Sequence, residues 1–306
     1  MKLFTSFFRL IRWQNLVFII LTQLLFYFCI YKSIYPDAES LRQISWLIIA
    51  SVLIAAGGYI INDYFDLNID QINKPNKNVI NSVINRRWAI LWHLLFSLSG
   101  ILATAIAVSF HKWYLIIANI VCVLLLWLYS TSFKRNILIG NIVISLLTAW
   151  TVLILFFAKV PFMAAFGESE ESTVKFFRIS FLYAGFAFIL SLIREAIKDV
   201  EDMEGDRKYG CKTLPIVAGL TATKIYTTVW IVVLVAALII LQLYILQFGW
   251  WWAVVYSILF VIIPLVYLFF KHVKAVATQE FSSLSRLSKW IMLAGILSMI
   301  FLRIYL

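Results

Sequence analysis

Long apolar stretches alternate with short polar ones along almost the whole chain. A helix needs about 20 apolar residues to cross the hydrocarbon core of a bilayer. Nine stretches meet this requirement and predict membrane-spanning helices at about 13 to 32, 41 to 61, 88 to 110, 113 to 132, 137 to 158, 175 to 194, 222 to 246, 250 to 270 and 287 to 306. The pattern therefore predicts an all-α, polytopic membrane protein with a single transmembrane domain over residues 1–306.

The composition excludes a soluble globular domain of ordinary make-up. Hydrophobic residues account for 63% of the chain and charged residues for 13%, and the mean hydropathy is +0.94. The three cysteines, Cys29, Cys122 and Cys211, lie far apart and have no paired spacing. They therefore indicate neither a disulfide framework nor a thiolate metal site.

The formal net charge of +11 is unevenly divided between the two sides of the predicted spans. Of the 26 Lys and Arg residues, 19 lie at the N-terminus and around the loops that follow even-numbered spans, and 7 lie on the opposite side. Basic residues are enriched in the cytoplasmic loops of membrane proteins. The sequence therefore predicts an integral protein of the cytoplasmic membrane, with its N-terminus in the cytoplasm and its C-terminus outside. Membrane lipids are the expected partners on its surface, and the bias gives no reason to expect nucleic-acid binding.

Two groups of three aspartates share one spacing, i, i+3 and i+7, and each group follows a predicted span. They are Asp63, Asp66 and Asp70 after the second span, and Asp199, Asp202 and Asp206 after the sixth. In a helix this spacing places all three carboxylates on one face. Carboxylates so arranged repel one another unless cations bridge them. We therefore predict a two-part metal site on the cytoplasmic side.

The donor types around these aspartates indicate a hard metal ion. Asn62 adds an amide oxygen, and no cysteine or histidine accompanies either group. Oxygen ligands favour Mg²⁺ or Ca²⁺ over zinc or copper, and Mg²⁺ commonly binds through one or two carboxylates plus substrate phosphates. An allylic diphosphate fits such a site, because its tail needs an apolar cavity and its head group needs metals and cations. Metals and cations would stabilise the charge of the leaving diphosphate, giving a carbocation-like centre that an acceptor attacks.

With these motifs in place, the chain resembles the UbiA-superfamily membrane prenyltransferases. The resemblance rests on both aspartate groups together with Asn15, Tyr129-Ser130, Lys134, Gly140-Asn141 and Arg194. It implies nine helices surrounding a central cavity, Mg²⁺ as cofactor, and Asp63, Asp66, Asp199 and Asp202 as the catalytic aspartates. The implied metal ligands are Asn62, Asp63, Asp66, Asp70, Asp199, Asp202 and Asp206. The expected substrate-binding residues are Asn15, Asn62, Lys74, Lys77, Tyr129, Lys134, Arg194 and Lys198.

The segment from Arg194 to Ile216 is similar to the branch of that family that alkylates a glyceryl-phosphate ether lipid, the digeranylgeranylglyceryl phosphate synthases. This resemblance implies a prenyl diphosphate donor, a lipid acceptor such as geranylgeranylglyceryl phosphate, and no obligate protein partner. Two alternatives remain open. One is transfer to an aromatic quinone precursor, and the other is a cation transporter, because carboxylates near membrane spans often mark ion pathways. Spans seven to nine have few ionisable residues and are expected to form lipid-facing scaffold.

Overall fold

A computed structural model describes residues 2–36, 41–73, 85–108, 112–161 and 170–306. Within these ranges the chain forms helices joined by short turns, and no strand is present. Nine of the helices in the described ranges are long and apolar enough to cross a membrane. The predicted all-α class and the predicted number of spans are confirmed.

The nine spanning helices are accompanied by four short ones. In chain order the helices are α1 (Lys2–Leu10), α2 (Trp13–Ile34), α3 (Leu41–Phe65), α4 (Leu67–Asn73), α5 (Arg86–Ala107), α6 (Trp113–Thr131), α7 (Ile139–Lys159), α8 (Glu171–Glu201), α9 (Met203–Lys208), α10 (Leu214–Val217), α11 (Gly219–Leu246), α12 (Trp251–Lys274) and α13 (Thr278–Tyr305). Helices α2 and α12 each contain one turn of π-helix, at Phe26–Tyr31 and Ile258–Ile262.

Polar side chains define where several helices begin. The Asn85 side chain accepts a hydrogen bond from the backbone N–H of Arg87 and caps α5 at 3.2 Å. The Glu280 carboxylate accepts from the backbone N–H groups of Val276 and Ala277, at 2.7 and 2.8 Å, where α13 starts. These bonds satisfy backbone donors that a helix leaves free in its first turn.

Helix α8 is the central element of the packing. It contacts α7, α11 and α13 along its length. One apolar core joins α8 to α2 and α7 through residues such as Phe26, Phe156 and Phe176, and a second joins it to α11, α12 and α13. At 31 residues, α8 is longer than the predicted stretch from 175 to 194, so it carries both the apolar span and Asp199, the first member of the second aspartate group.

The outer surfaces of the bundle are apolar. Large hydrophobic side chains such as Leu94, Leu98, Ile240 and Leu243 remain exposed on α5 and α11. In a soluble protein this would leave a large unfavourable water contact, whereas in a bilayer such faces contact lipid tails. Exposure on α5 and α11 is therefore the arrangement expected of a membrane bundle.

Candidate active site

A cavity of about 270 Å³ lies inside the bundle. Six of the nine spans of the described chain line it, namely α2, α3, α6, α7, α8 and α13. One end carries charged and amide side chains, among them Arg12, Asn62 and Arg194, and other parts of the wall are apolar or aromatic, with Ile54 and Phe186. The cavity thus offers both a polar head-group region and an apolar surface.

The first aspartate group lies where α3 gives way to α4. The helix is interrupted by a turn at Asp66, yet the backbone N–H of Asp66 donates to the carbonyl of Asn62 at 3.0 Å, and the N–H of Asp70 donates to the carbonyl of Asp66 at 2.8 Å. Helical hydrogen bonding therefore continues through the turn. The aspartates keep the one-face register that their spacing predicts.

Arg12 connects the start of α2 to the first aspartate group. Its guanidinium donates to Asp63 at 2.6 Å and lies over the Tyr59 ring, 5.2 Å from the ring centroid. Burial disfavours the charged form, but Asp63 and Tyr59 outweigh it and hold the pKa of Arg12 above its ordinary value. The backbone of Arg12 is left-handed, with φ of 50°, a conformation that costs energy for a non-glycine residue. This strained turn between α1 and α2 directs the guanidinium to Asp63.

Lys134 brings a second cation to the same group. It ion-pairs with Asp66, and its ammonium also lies 3.4 Å from the amide oxygen of Asn62. The Asn62 amide nitrogen in turn donates to the other oxygen of Asp66 at 2.8 Å. Because the Asn62 amide contacts both members of the pair, it fixes the orientation of the Asp66 carboxylate.

Lys134 is held in place by a close contact between its turn and the start of α7. A Cβ on Gly140 would lie 2.8 Å from the Cα of Lys134 and 3.1 Å from the carbonyl oxygen of Phe133. Both are backbone atoms that no rotamer change can move. Gly140 is therefore required for the short 3₁₀ turn Phe133–Arg135 to pack against α7.

The second aspartate group lies at the end of α8 and in α9. The Asn141 side chain of α7 donates to Asp199 at 2.8 Å, and Lys198 pairs with Asp202 at 3.8 Å. The backbone N–H of Asp202 donates to the carbonyl of Lys198, and that of Asp206 donates to the carbonyl of Asp202. This group therefore repeats the first one: helical register is kept across a turn, and amide and ammonium donors contact the carboxylates.

Asn73 bridges the two aspartate groups. Its amide nitrogen donates to the carbonyl of Asp202 at 2.9 Å, and its amide oxygen accepts from the backbone N–H of Gly205 at 2.8 Å. Burial, followed by the charges of Asp202 and Asp66, raises the pKa of Asp206 to about 7. The Asn73 hydrogen bonds and the packing of α4 against α9 bring the two groups together.

Arg194 and Tyr129, both predicted to bind substrate, line the cavity, and so does Glu195, for which no role was predicted. Arg194 pairs with Glu195 at 2.6 Å, and both line the cavity wall. Tyr129 lies on the facing wall, where its hydroxyl is within electrostatic range of Glu195, Asp66 and Asp199. Glu195 is 7% exposed, and it is the one carboxylate among the residues that line this cavity.

Span nine does not behave as lipid-facing scaffold, so that expectation was wrong for α13. Lys289 lines the cavity and donates to the side-chain oxygen of Asn15 at 3.3 Å. Met292, Gly295 and Met299 of the same helix also line it. The physical reason is that α13 packs against α8 and α2, which turns this face of the helix inwards. Spans seven and eight contribute no residue to the cavity.

The structure brings most of the predicted site residues to one end of the bundle. Asn15, Asn62, Tyr129, Arg194 and Lys198 line the cavity, and Lys134 contacts the first aspartate group beside it. Asp70 is half-buried in α4. Lys74 and Lys77 lie outside the described residues, so their predicted contacts with substrate stay predictions.

Four further residues at this end had no predicted role: Arg12, Asn141, Glu195 and Lys289. Arg12 and Lys289 were counted with the basic residues that define topology, and Asn141 and Glu195 were noted only as parts of motifs. A role for Lys289 could have been predicted, because an ionisable residue inside an apolar span is a candidate functional residue. The contacts of the other three depend on which helices are neighbours, and the local sequence does not specify this.

The oxygen donors present fit Mg²⁺. In the described part of the chain, no group of three or more His, Cys, Asp or Glu side chains already converges on one point. Mg²⁺ does not require such a group, because substrate phosphates and waters supply much of its coordination. Burial, and then the nearby charges of Asp202 and Asp66, disfavour the ionised form of Asp206, and a divalent cation bound beside it would favour that form.

Residues 14–299 match the model of the UbiA prenyltransferase family. The chain is a member of the UbiA prenyltransferase family. As such it is an integral membrane enzyme, a prenyltransferase, and the match extends from the first to the ninth span of the described structure.

Relatives within the UbiA family include a digeranylgeranylglyceryl phosphate synthase of Methanosphaera stadtmanae. It is 30% identical over 250 residues, which make up 81% of this chain and 83% of that protein. A solved structure described as digeranylgeranylglyceryl phosphate synthase is 23% identical, with a TM-score of 0.60 over 98% of this chain and 99% of that one. A UbiA homologue from Archaeoglobus fulgidus bound to GPP and Mg²⁺ is 18% identical, with a TM-score of 0.59 over 96% of this chain and 99% of the other. The two structures establish the fold.

Proposed function

We propose that this prenyltransferase transfers a geranylgeranyl group from its allylic diphosphate to geranylgeranylglyceryl phosphate in a Mg²⁺-dependent reaction. The observation that carries the proposal is the pairing of two neighbouring aspartate groups with the polar end of an intramembrane cavity. The similarity to the Methanosphaera stadtmanae synthase supports the choice of acceptor. The Archaeoglobus fulgidus homologue, bound to GPP and Mg²⁺, supports the donor class and the metal.

The donor diphosphate would bind between the two aspartate groups. The metal ligands in this proposal are Asn62, Asp63, Asp66, Asp70, Asp199, Asp202 and Asp206. When bound, Mg²⁺ neutralises the negative charge that develops on the leaving diphosphate. Arg12 and Lys134 pair with Asp63 and Asp66, and their cationic groups would be available to phosphate oxygens if these carboxylates held a metal ion.

The prenyl chain would extend from this end into the cavity. Residues such as Ile54, Phe186 and Met299 offer it an apolar surface away from water. As the bond between C1 of the chain and the diphosphate oxygen breaks, the electron pair leaves with the diphosphate and C1 becomes cationic. Aromatic faces at the cavity wall, such as Tyr129, can stabilise that cation.

The acceptor hydroxyl must lose a proton when its oxygen bonds to C1. Glu195 is placed to receive it, because its carboxylate lies in the cavity wall and belongs to neither aspartate group. Its pairing with Arg194 at 2.6 Å keeps it oriented and favours the ionised form that accepts a proton. We therefore assign Glu195 the role of general base.

The active site is proposed to face the cytoplasm. Both aspartate groups follow even-numbered spans, on the same side as the N-terminus and as 19 of the 26 basic residues. The same geometry argues against a cation transporter, since these carboxylates lie at helix ends, whereas transporter sites are typically near the bilayer midplane.

The test is a comparison of acceptors with purified protein. With Mg²⁺ and geranylgeranyl diphosphate, we expect prenylation of geranylgeranylglyceryl phosphate and much slower reaction of 4-hydroxybenzoate, homogentisate or a naphthoate. Removing Mg²⁺ with EDTA should stop the reaction, and adding Mg²⁺ back should restore it. Rapid transfer to an aromatic acid with none to the glyceryl phosphate would refute the acceptor assignment and favour a quinone-precursor prenyltransferase.

A further inference from the structure

The charges that line the cavity do not balance. Four cationic side chains face it, those of Arg12, Arg194, Lys198 and Lys289, against the single carboxylate of Glu195. Three of the cations have carboxylate partners: Arg12 pairs with Asp63, Arg194 with Glu195 and Lys198 with Asp202. The fourth, Lys289, has no carboxylate within 4.0 Å in the described part of the chain. Its hydrogen-bond partner is the neutral amide oxygen of Asn15.

The surroundings of Lys289 make this imbalance costly. Its ammonium interacts electrostatically with three like charges, on Arg194, Lys198 and Arg12, and with one opposite charge, on Glu195. It is half-buried on a membrane-spanning helix, where solvent screens charge poorly. An anion bound beside Lys289 would relieve the repulsion.

A second unsatisfied donor belongs to the same wall. The Nε atom of Arg194 is buried and donates to no acceptor among the described residues, although the guanidinium is anchored to Glu195 through another nitrogen. Arg194 is on α8 and Lys289 on α13, and these helices pack directly against each other. Lys289, whose one hydrogen-bond partner is neutral, and Arg194 thus both line the part of the cavity built by α2, α8 and α13.

This wall is distinct from the one that carries the first aspartate group. Asn62, Asp66 and Lys134 belong to α3 and to the turn between α6 and α7, and α13 has no substantial contact with these elements. Lys289 belongs to neither aspartate group and pairs with no carboxylate among the described residues. An anion bound to it would therefore displace none of the proposed metal ligands.

We propose that Lys289, supported by Asn15 and Arg194, binds the phosphate monoester of the acceptor lipid. The assignment rests on the proposed function and adds to it a residue that determines acceptor class. A phosphate dianion accepts several charge-assisted hydrogen bonds and would supply the missing counter-charge. Glu195 lies beside Arg194 on the same wall, so the phosphate would hold the glycerol hydroxyl on the side of its base.

The first test separates acceptor binding from donor binding. Lys289→Met should raise the KM for geranylgeranylglyceryl phosphate at least about tenfold and leave the KM for geranylgeranyl diphosphate within about twofold. Lys289→Arg should restore most of the affinity. The matched control is Arg286→Met, which removes a cation from an exposed position one turn earlier on α13. An unchanged acceptor KM in Lys289→Met would overturn the proposal.

A second variant leaves the lysine in place. Asn15→Asp puts a carboxylate next to the Lys289 ammonium, where the amide oxygen now lies at 3.3 Å, and should likewise raise the acceptor KM by neutralising the lysine. Thermal melting in detergent establishes that each variant is folded. If Lys289→Met does not fold, Asn15→Asp decides the question, and an unaltered acceptor KM in that variant refutes the assignment.

A binding measurement distinguishes failure of this inference from failure of the proposed function. Dodecyl phosphate, without donor or Mg²⁺, should bind the wild-type protein at least about tenfold more tightly than it binds Lys289→Met, and 4-hydroxybenzoate should bind both weakly. If the wild-type protein prenylates none of the acceptors yet shows this difference, the proposed function fails and the anion site stands. Equal binding of dodecyl phosphate by both proteins, or tighter binding of 4-hydroxybenzoate, refutes the anion site.

Discussion

At the scale of single residues, Asp63, Asp66 and Asp199 are each contacted by a donor from another element of the structure. Arg12 contacts Asp63, and Asn141 contacts Asp199, with separations of 2.6 and 2.8 Å. Neutral or cationic donors of this kind stabilise the metal-free carboxylates and fix their orientation. In the proposed function, a metal ion and the diphosphate would replace these donors at the carboxylates.

The two aspartate groups are expected to act together. Asp63→Asn and Asp199→Asn should each abolish Mg²⁺-dependent turnover, a loss of at least about 100-fold, because one intact group alone would not hold enough Mg²⁺ to neutralise a diphosphate. Turnover is measured on purified protein, with melting temperature as the check on folding. Glu204→Gln, at an exposed position of α9, is the control and should retain activity. Full activity in either aspartate variant would contradict a two-group site.

Glu195 gives a separate prediction about proton transfer. Glu195→Gln removes the proposed base while keeping the shape of the side chain, and kcat should fall about 100-fold or more, with little change in donor KM. Glu201→Gln, further along α8, provides the control. If kcat is unaltered in Glu195→Gln, the acceptor proton leaves by another route and the assigned role is wrong.

At the scale of structural elements, the turn Phe133–Arg135 acts as a support for Lys134. It packs so closely on the start of α7 that no side chain fits at Gly140, and Leu138 between them takes a left-handed backbone with φ of 59°. The backbone of Arg135 also accepts a hydrogen bond from the N–H of Lys212 at 2.7 Å. The turn is thereby fixed to the loop that follows α9, so Lys134 is positioned by elements from two halves of the chain.

Gly140→Ala tests this support. The added Cβ would lie 2.8 Å from the Cα of Lys134, so the turn must shift and the contact with Asp66 must weaken. We expect donor KM to rise about tenfold and stability to fall by about 1–3 kcal/mol. Gly185→Ala is the matched control, because nothing lies within 4 Å of its new Cβ on α8. Equal donor KM values for the two variants would show that Lys134 does not depend on this contact.

At the scale of the whole molecule, topology puts the aspartate groups on the side with most basic residues. If that side is cytoplasmic, Lys208→Cys should be protected from a membrane-impermeant maleimide in intact cells, and Glu170→Cys should react. Both positions are exposed, and Cys29, Cys122 and Cys211 are buried, so background labelling should be low. Permeabilised cells should label at both positions. The reverse pattern in intact cells would place the site on the external side.

The sequence alone determined the helical class, the nine spans and the two aspartate groups. These features depend on short-range physics. An apolar stretch of about 20 residues has to satisfy its own backbone hydrogen bonds in a bilayer, and the i, i+3, i+7 spacing puts Asp63, Asp66 and Asp70 on one face whichever helices surround them. The resemblance to the UbiA superfamily then implied which further residues, such as Asn15, Lys134 and Arg194, bind the substrate.

Tertiary structure alone decided which residues meet. Arg12 is 51 positions from Asp63, Asn73 is 129 from Asp202, and Lys289 is 274 from Asn15. Such contacts depend on how each helix rotates about its axis as it packs, and the local pattern of apolar and polar residues fixes that rotation poorly when a span is apolar on every side. For this reason span nine was expected to be lipid-facing scaffold, and only the packing of α13 against α2 and α8 placed Lys289 in the cavity.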